Sequence, residues 1–172
     1  MKLKYLALPM LFLANAIYAK NDLLCKPAPL FKAEAVFPDG SVKKFDLKKF
    51  IGQKLVLYFY PMDNTPGCTK QAKNFRDNIE RLKKHGITLV GISCDSTKSH
   101  KNFQKKHELP YILVSDSRKH QTISKMYGTK SILMSKRKTF LINECGTVFK
   151  KFDTINIAEQ VDEIIEAFKK NT

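Results

Sequence analysis

The sequence has no Cys-x-x-Cys pair, no glycine-rich phosphate loop and no histidine pair at metal-ligand spacing. These absences count in turn against a thioredoxin-type disulfide exchanger, a nucleotide cradle and a zinc-like centre. His85, His100, His107 and His120 stand at no ligand spacing from one another or from the cysteines, so neither a metal nor a cofactor is expected. Seven glycines and seven prolines in 172 residues exclude collagen-like and low-complexity classes. Four cysteines are too few for a disulfide-built miniature scaffold, and a chain of this length does not need one. Acidic residues are scarce, 16 against 31 basic, for a net charge of +15. Of the basic residues only four are arginine. The lysines run from Lys20 to Lys170 without an interleaved aromatic stripe, so the charge reads as a solvated basic face and no nucleic acid is expected as partner. What remains, 43% apolar and 27% charged residues, is ordinary globular usage for one domain.

The N-terminus reads as a processing signal. Lys2 and Lys4 precede the apolar run Leu6–Ala14, and Asn15–Ala19 ends in a small residue before polar Lys20, Asn21 and Asp22. This is the charged, apolar, small-residue order of a secretory signal peptide over 1–19, cleaved after Ala19. The apolar part is too short to span a bilayer and holds Pro9 and Asn15, so no membrane span is expected after cleavage. The expectation is an exported bacterial protein, periplasmic or secreted, whose folded domain covers 20–172. In an oxidising compartment thiols stay free only for a reason or beside a reductant.

Strand and helix patterns alternate along that domain. An N-terminal hairpin joins 35–37 to 42–45 around Pro38-Asp39-Gly40-Ser41, and Asp46 caps a short helix over Leu47–Ile51, stopped by Gly52. Lys54–Tyr60 and Ile87–Ile92 read as strands buried on both faces. Helical spacing runs from Cys68 to Lys84 through Ala72, Phe75, Ile79 and Leu82. Further elements are a polar helix over 99–107, a strand over 111–114 and a short helix over 120–127. A hairpin of 139–142 with 148–152 and an amphipathic helix from Ile157 to Phe168 close the chain. The pattern predicts an α/β three-layer fold with a mixed central sheet, strands 54–60 and 87–92 lying parallel as neighbours. Chemistry in such sheets gathers beyond the carboxyl ends of the parallel strands. That directs attention to the loops after Tyr60 and Ile92.

The first loop runs Pro61-Met62-Asp63-Asn64-Thr65-Pro66-Gly67-Cys68-Thr69. Thr65 is a good N-cap residue and Pro66 suits the first helical position. Cys68 then sits in the first turn, among unpaired amide hydrogens at the positive end of the helix dipole, a setting that favours a thiolate nucleophile.

The pattern Pro-x-x-x-Thr-x-x-Cys resembles the peroxidatic signature of the peroxiredoxins. The longer stretch from Tyr58-Phe59-Tyr60-Pro61 through Thr65-Pro66-Gly67-Cys68-Thr69 to Phe75-Arg76-Asp77 resembles the bacterioferritin-comigratory-protein, or peroxiredoxin Q, branch. Pro27-Ala28-Pro29 with Phe31, Gly91-Ile92-Ser93 with Asp95-Ser96 and His100, and Arg137 before Thr139-Phe140-Leu141-Ile142-Asn143 extend the likeness over the whole domain. The resemblance implies a thioredoxin-like fold and a thiol-dependent peroxidase acting on hydrogen peroxide and organic hydroperoxides. Its partners would be the peroxide and a thioredoxin-like or small-molecule thiol, and its state a monomer or homodimer. It implies that Cys68 is the nucleophile that becomes a sulfenic acid, that Thr65 orients the peroxide, that Pro61 shields the thiolate from water, and that Arg137 donates to thiolate and peroxide. The role of Gln71 stays open.

One position departs from the branch. Many members carry a resolving cysteine five residues after the first, and here that position is Lys73. Cys94, Cys145 and Cys25 remain as candidates, with a Cys25–Cys145 bridge as another possible use of the last two, so one-Cys and two-Cys cycles are both open. Two other classes stand beside the peroxidase: a thioredoxin-like disulfide oxidoreductase, and a non-catalytic basic binding module.

Overall fold

A computed structural model describes residues 22–171; the expected signal segment and its cleavage site lie outside them. Eight strands form one mixed sheet in the order β1-β8-β7-β4-β5-β6-β2-β3. They are β1 (Lys26–Pro27), β2 (Lys32–Val36), β3 (Val42–Asp46), β4 (Lys54–Phe59), β5 (Ile87–Ser93), β6 (Ile112–Ser115), β7 (Lys138–Ile142) and β8 (Thr147–Phe152). The helices are α1 (Pro66–Asp77), α2 (Ile79–Lys84), α3 (Thr97–His107), α4 (Thr122–Met126) and α5 (Gln160–Lys170), with a 3-10 turn at Leu47–Phe50.

The expected parallel pair is present: β4 runs beside β5 with Leu57 opposite Val90, and β5 beside β6 with Ile92 opposite Val114. The N-terminal hairpin β2–β3 joins the far side of β6 antiparallel. β7 flanks β4 on its other side, also antiparallel, with Leu57 opposite Phe140.

The two-residue period of β4 divides the core. Val56, Tyr58 and, just beyond the strand, Tyr60 pack with Ala72 and Phe75 of α1, Phe103 of α3, and Ile164 and Phe168 of α5. Leu55, Leu57 and Phe59 face the opposite layer, with Phe31, Phe45, Leu47, Ile123 and Tyr127. Each face buries a full apolar set, which is why β4 reads as a continuous apolar run and not as an alternation. Gly91 on β5 makes room for the Tyr58 ring, whose carbons would lie 2.8 Å from a Cβ placed there.

Several details differ from the sequence reading, β2 beginning already at Lys32 and α3 at Thr97 among them. The helical pattern from Cys68 to Lys84 is two helices, broken at Asn78 (φ −112°, ψ 11°), whose amide side chain donates back to the Asn74 carbonyl at 2.9 Å. The break turns the chain while Ile79 and Leu82 stay on the same core face, so the apolar periodicity runs through it. The short strand β1 pairs with β8 and had no alternation to announce it. The helices expected from His120 and Ile157 begin at Thr122 and Gln160. Among the described residues no helix is long and apolar enough to cross a membrane.

Candidate active site

At the carboxyl end of β4 the chain turns through Pro61–Thr65 into α1. Asn64 takes a left-handed conformation (φ 59°), which asparagine tolerates better than most residues, and this reverses the backbone so that Pro66 can begin the helix. The first intrahelical bond recorded at this end is Thr69 N–H to Thr65 O at 2.8 Å, which leaves the Gly67 and Cys68 amides in the unpaired first turn. Cys68 is buried, 2% exposed, with its sulfur at the positive end of a 12-residue helix.

Thr65 occupies the N-cap position as expected, but its side chain does not cap. Its hydroxyl donates to the Met62 carbonyl at 3.0 Å. With that proton committed, Thr65 Oγ1 offers lone pairs, so toward a further donor it is an acceptor. The local turn wins because the Met62 carbonyl lies within the same tight loop.

Arg137 reaches this pocket from the residue immediately before β7. Its Nη2 donates to Cys68 Sγ at 3.2 Å, a charge-assisted contact with the sulfur, and its Nη1 donates to Gln71 Oε1. Arg137 also lies over Gly67: a Cβ on that glycine would sit 3.4 Å from Nη2. The structure thus brings together Cys68 and Arg137 directly, with Thr65 and partly buried Pro61 on the loop leading into the same turn.

Beneath the loop lies a buried polar network that sequence reasoning missed. The Asp63 carboxylate accepts from the Tyr60 hydroxyl at 2.8 Å and the Ser99 hydroxyl at 2.7 Å, and faces His100 Nδ1 at 3.0 Å. The Asp63 amide donates to Asp95 Oδ2 at 2.9 Å, the same oxygen that accepts from Ser93 at 2.7 Å. His100 Nε2 lies 3.2 Å from the Val114 carbonyl, so that nitrogen carries a proton. The network ties the loop after β4 to the end of β5 and to α3. Burial pushes the Tyr60 and Tyr58 hydroxyls well above the ordinary phenol range, so both stay protonated donors.

The other cysteines are far from symmetrical alternatives. Cys94, one residue past β5, lies at the same sheet end as Cys68 but on the opposite layer. Its sulfur contacts Ser135 Oγ at 3.6 Å, and Ser135 in turn bonds Ser124 of α4 at 2.6 Å. Burial pushes its thiol up. Cys25 and Cys145 are both exposed, but the β1–β8 register separates them. Lys26 lies opposite Val148, and Ala28 N–H bonds Gly146 O, which sets Cys145 level with Pro29. Four residues of strand, about 13 Å, part it from Cys25, beyond the roughly 7 Å that a disulfide tolerates. The Cys25–Cys145 bridge is therefore excluded in this fold. Lys73 is exposed on α1. Among the described residues no cluster of three or more His, Cys, Asp or Glu could hold a metal ion.

Comparison with known proteins places this arrangement. The model of the AhpC/TSA family matches residues 24–151. The chain belongs to that family. Within it the similarity is to the peroxiredoxin Q and bcp branch. The chloroplastic peroxiredoxin Q of Sedum lineare is 42% identical over 137 residues, which cover 78% of this chain and 70% of that protein. A peroxiredoxin bcp of Coxiella burnetii is 37% identical over 146 residues, 80% of this chain and 93% of that one. Among solved structures, the peroxiredoxin Q of Xanthomonas campestris superposes with a TM-score of 0.72 at 30% identity, over 81% of this chain and 90% of its own. The fold of this peroxiredoxin is thus the thioredoxin-like one that the resemblance implied.

Proposed function

We propose that this peroxiredoxin is a thiol-dependent peroxidase in which Cys68 is the nucleophile and Arg137 its electrostatic partner. The observation that carries the assignment is the 3.2 Å contact from Arg137 Nη2 to Cys68 Sγ in the first turn of α1. A cation and a helix N-terminus both stabilise negative charge that develops beside them during attack, and both are fixed before substrate arrives. The Cys68 thiolate attacks one peroxide oxygen, the O–O bond breaks, and the departing oxygen leaves as hydroxide or alkoxide and takes up a proton. Sulfur is oxidised to the sulfenic acid as the peroxide is reduced. Arg137 donates to sulfur in the resting state and, during attack, to the oxygen that gains charge. Thr65 Oγ1 accepts a hydrogen bond from the O–H of the attacked oxygen and so aims the peroxide, that proton staying on the sulfenic acid, while Pro61 screens the sulfur from water. A thiol then displaces water from the sulfenate to give a mixed disulfide, and a second thiol releases Cys68 and carries away the disulfide.

A folded domain over 20–172 acting after export, in a periplasmic or extracellular space, follows from the charged, apolar, small-residue order of residues 1–19. The mass of the protein recovered from a bacterial periplasm tests it: cleavage after Ala19 is expected, and full-length protein in the cytoplasm would overturn it.

The deciding experiment for the activity is a pair of assays on one preparation. Peroxide consumption supported by a thioredoxin-type reductant is expected, with no reduction of insulin disulfides. The opposite result would make the protein a disulfide oxidoreductase. Arg137→Lys keeps the charge but loses the planar fork that serves sulfur and Gln71 together, so a loss of about tenfold or more in kcat/KM for peroxide is expected.

A further inference from the structure

We propose that Gln160, the first residue of α5, is a positioning residue for the peroxidatic site: with Thr139 behind it, it fixes the Gln71 amide that holds Arg137 on Cys68. The inference rests on the peroxidase reading and extends it to a helix that touches neither sulfur nor substrate.

Four side chains form a directed chain. Arg137 Nη1 donates to Gln71 Oε1; Gln71 Nε2 donates to Gln160 Oε1 at 2.9 Å; Gln160 Nε2 donates to Thr139 Oγ1 at 2.8 Å. Gln71, Gln160 and Thr139 are all 0% exposed. A guanidinium has only donors, so it dictates that Gln71 presents its carbonyl oxygen. The Gln71 amino group must then find an acceptor in the interior, and Gln160 Oε1 is that acceptor. The Gln160 amino group needs one in turn, and Thr139 supplies it. Neither amide can flip without setting two donors face to face in a dry core, where an unmet polar group is costly.

The chain also closes on itself. Arg137 and Thr139 are two residues apart, so both project to the same side of the β7 segment, the side covered by α1 and α5. The ring runs from Arg137 through α1 and α5 back to β7, which Arg137 immediately precedes. A second bond reinforces it: Asn74 Nδ2 donates to the Ile157 carbonyl at 2.7 Å, tying α1 to the segment that leads into α5. Without Gln160 the Gln71 amide loses its reason to keep oxygen toward Arg137, and the guanidinium keeps one anchor, the sulfur itself.

The test is a double-mutant cycle read two ways: kcat/KM for hydrogen peroxide, and the alkylation rate of the Cys68 peptide with iodoacetamide at fixed pH. Gln160→Met removes both bonds with similar volume and is expected to lower each reading about tenfold, which corresponds to about 1.4 kcal/mol. Gln160→Glu still offers Gln71 an acceptor and should stay within about threefold of wild type, a rescue that a packing role would not give. In an Arg137→Met background, Gln160→Met should change either reading by less than about twofold, because the effect passes through the guanidinium. If Gln160→Met does not fold, Thr139→Val, which deletes the terminal acceptor while keeping a β-branched strand residue, enters the same cycle in its place. An equal loss in both backgrounds, no loss in the wild-type background, or a Glu variant as impaired as Met would overturn the proposal. Should wild type consume no peroxide, the functional reading fails, and the alkylation readings alone still decide whether Gln160 acts through Arg137.

Discussion

Cys94 and Cys68 lie at one end of the sheet and on opposite layers of it. Tyr58 and Tyr60 of the β4 run pack toward Cys68 and α1, whereas Cys94 leaves β5 toward Ser135 and the α4 side. The two sulfurs therefore have different neighbours, Arg137 for Cys68 and Ser135 for Cys94. With Cys25 and Cys145 held on the β1–β8 edge, no second thiol faces the oxidised Cys68. Wild type should therefore form no rapid intramolecular disulfide. Under excess peroxide without reductant, intact mass should show a gain of about 32 Da on the Cys68 peptide, the sulfinic acid of a sulfenate that has waited. A fast loss of two hydrogens, about 2 Da, with no oxygen gain would reveal a resolving cysteine, and Cys94→Ser would then be the variant to examine.

Lys73→Cys should restore the local partner that the branch often carries. Residues 68 and 73 are five apart on α1, about 7.5 Å along the axis alone, so a disulfide between them requires the first turns to unwind. The bonds from Gln71 to Gln160 and from Asn74 to Ile157 oppose that unwinding. The variant is expected to form the 68–73 disulfide under peroxide and to resist over-oxidation better than wild type, with Asn74→Ala accelerating the closure. Stopped-flow oxidation followed by mass analysis checks this; a variant that over-oxidises as readily as wild type would count against it.

Alkaline pH should weaken the fold partly through Cys94. Burial raises this thiol, with the Ser135 contact opposing, so the native state keeps its proton to higher pH than the unfolded chain does. The stabilisation is fully present below the ordinary thiol range and is lost as pH rises through the native value. Denaturant midpoints between about pH 8 and 10 should fall more steeply in wild type than in Cys94→Ala. Parallel slopes would show that the Cys94 proton contributes nothing. In the native protein at neutral pH, Cys25 and Cys145 should alkylate well before Cys94, since only those two are exposed.

Gly91→Ala should be destabilising without touching the chemistry directly. The added methyl would lie 2.8 Å from ring carbons of Tyr58 and from Leu113 Cδ2, both fully buried, and the Tyr58 hydroxyl is itself held by Tyr111 at 3.1 Å. Overpacking of this kind costs about 1–3 kcal/mol. A thermal melt reads it directly; an unchanged midpoint would mean that β4 and β6 yield more easily than their burial implies.

The sheet was legible because buried parallel strands leave long apolar runs, as Lys54–Tyr60 and Ile87–Ile92 do, and because turn residues bracket them. Cys68 was legible as a candidate nucleophile because a threonine at the N-cap position, a proline and a cysteine at the start of a helix have a mechanical meaning even before any likeness is drawn. The supports of the site were not. The likeness singled out Gln71 without giving it a role, and Gln160 stands on the apolar face of its helix beside Val161, a polar residue on a core stripe, which was its one signal. Their pairing joins positions 89 residues apart, which no local period can report. Asp63 and His100 were hidden in the same way, by a contact between a loop and a helix 37 residues on. The break at Asn78 was masked because the apolar spacing continues across it.

The central claim is that Cys68 carries the peroxide chemistry, and oxidation of the reduced protein with one equivalent of hydrogen peroxide tests it most directly. Peptide-resolved mass should place a single oxygen, about 16 Da, on Cys68 within the mixing time, with Cys25, Cys94 and Cys145 unmodified. Cys68→Ser, whose hydroxyl supplies almost no anion near neutral pH, should show neither the adduct nor thiol-dependent peroxide turnover. A Cys68→Ser protein that keeps a substantial part of the turnover, or a first oxygen found on another cysteine, would contradict the account.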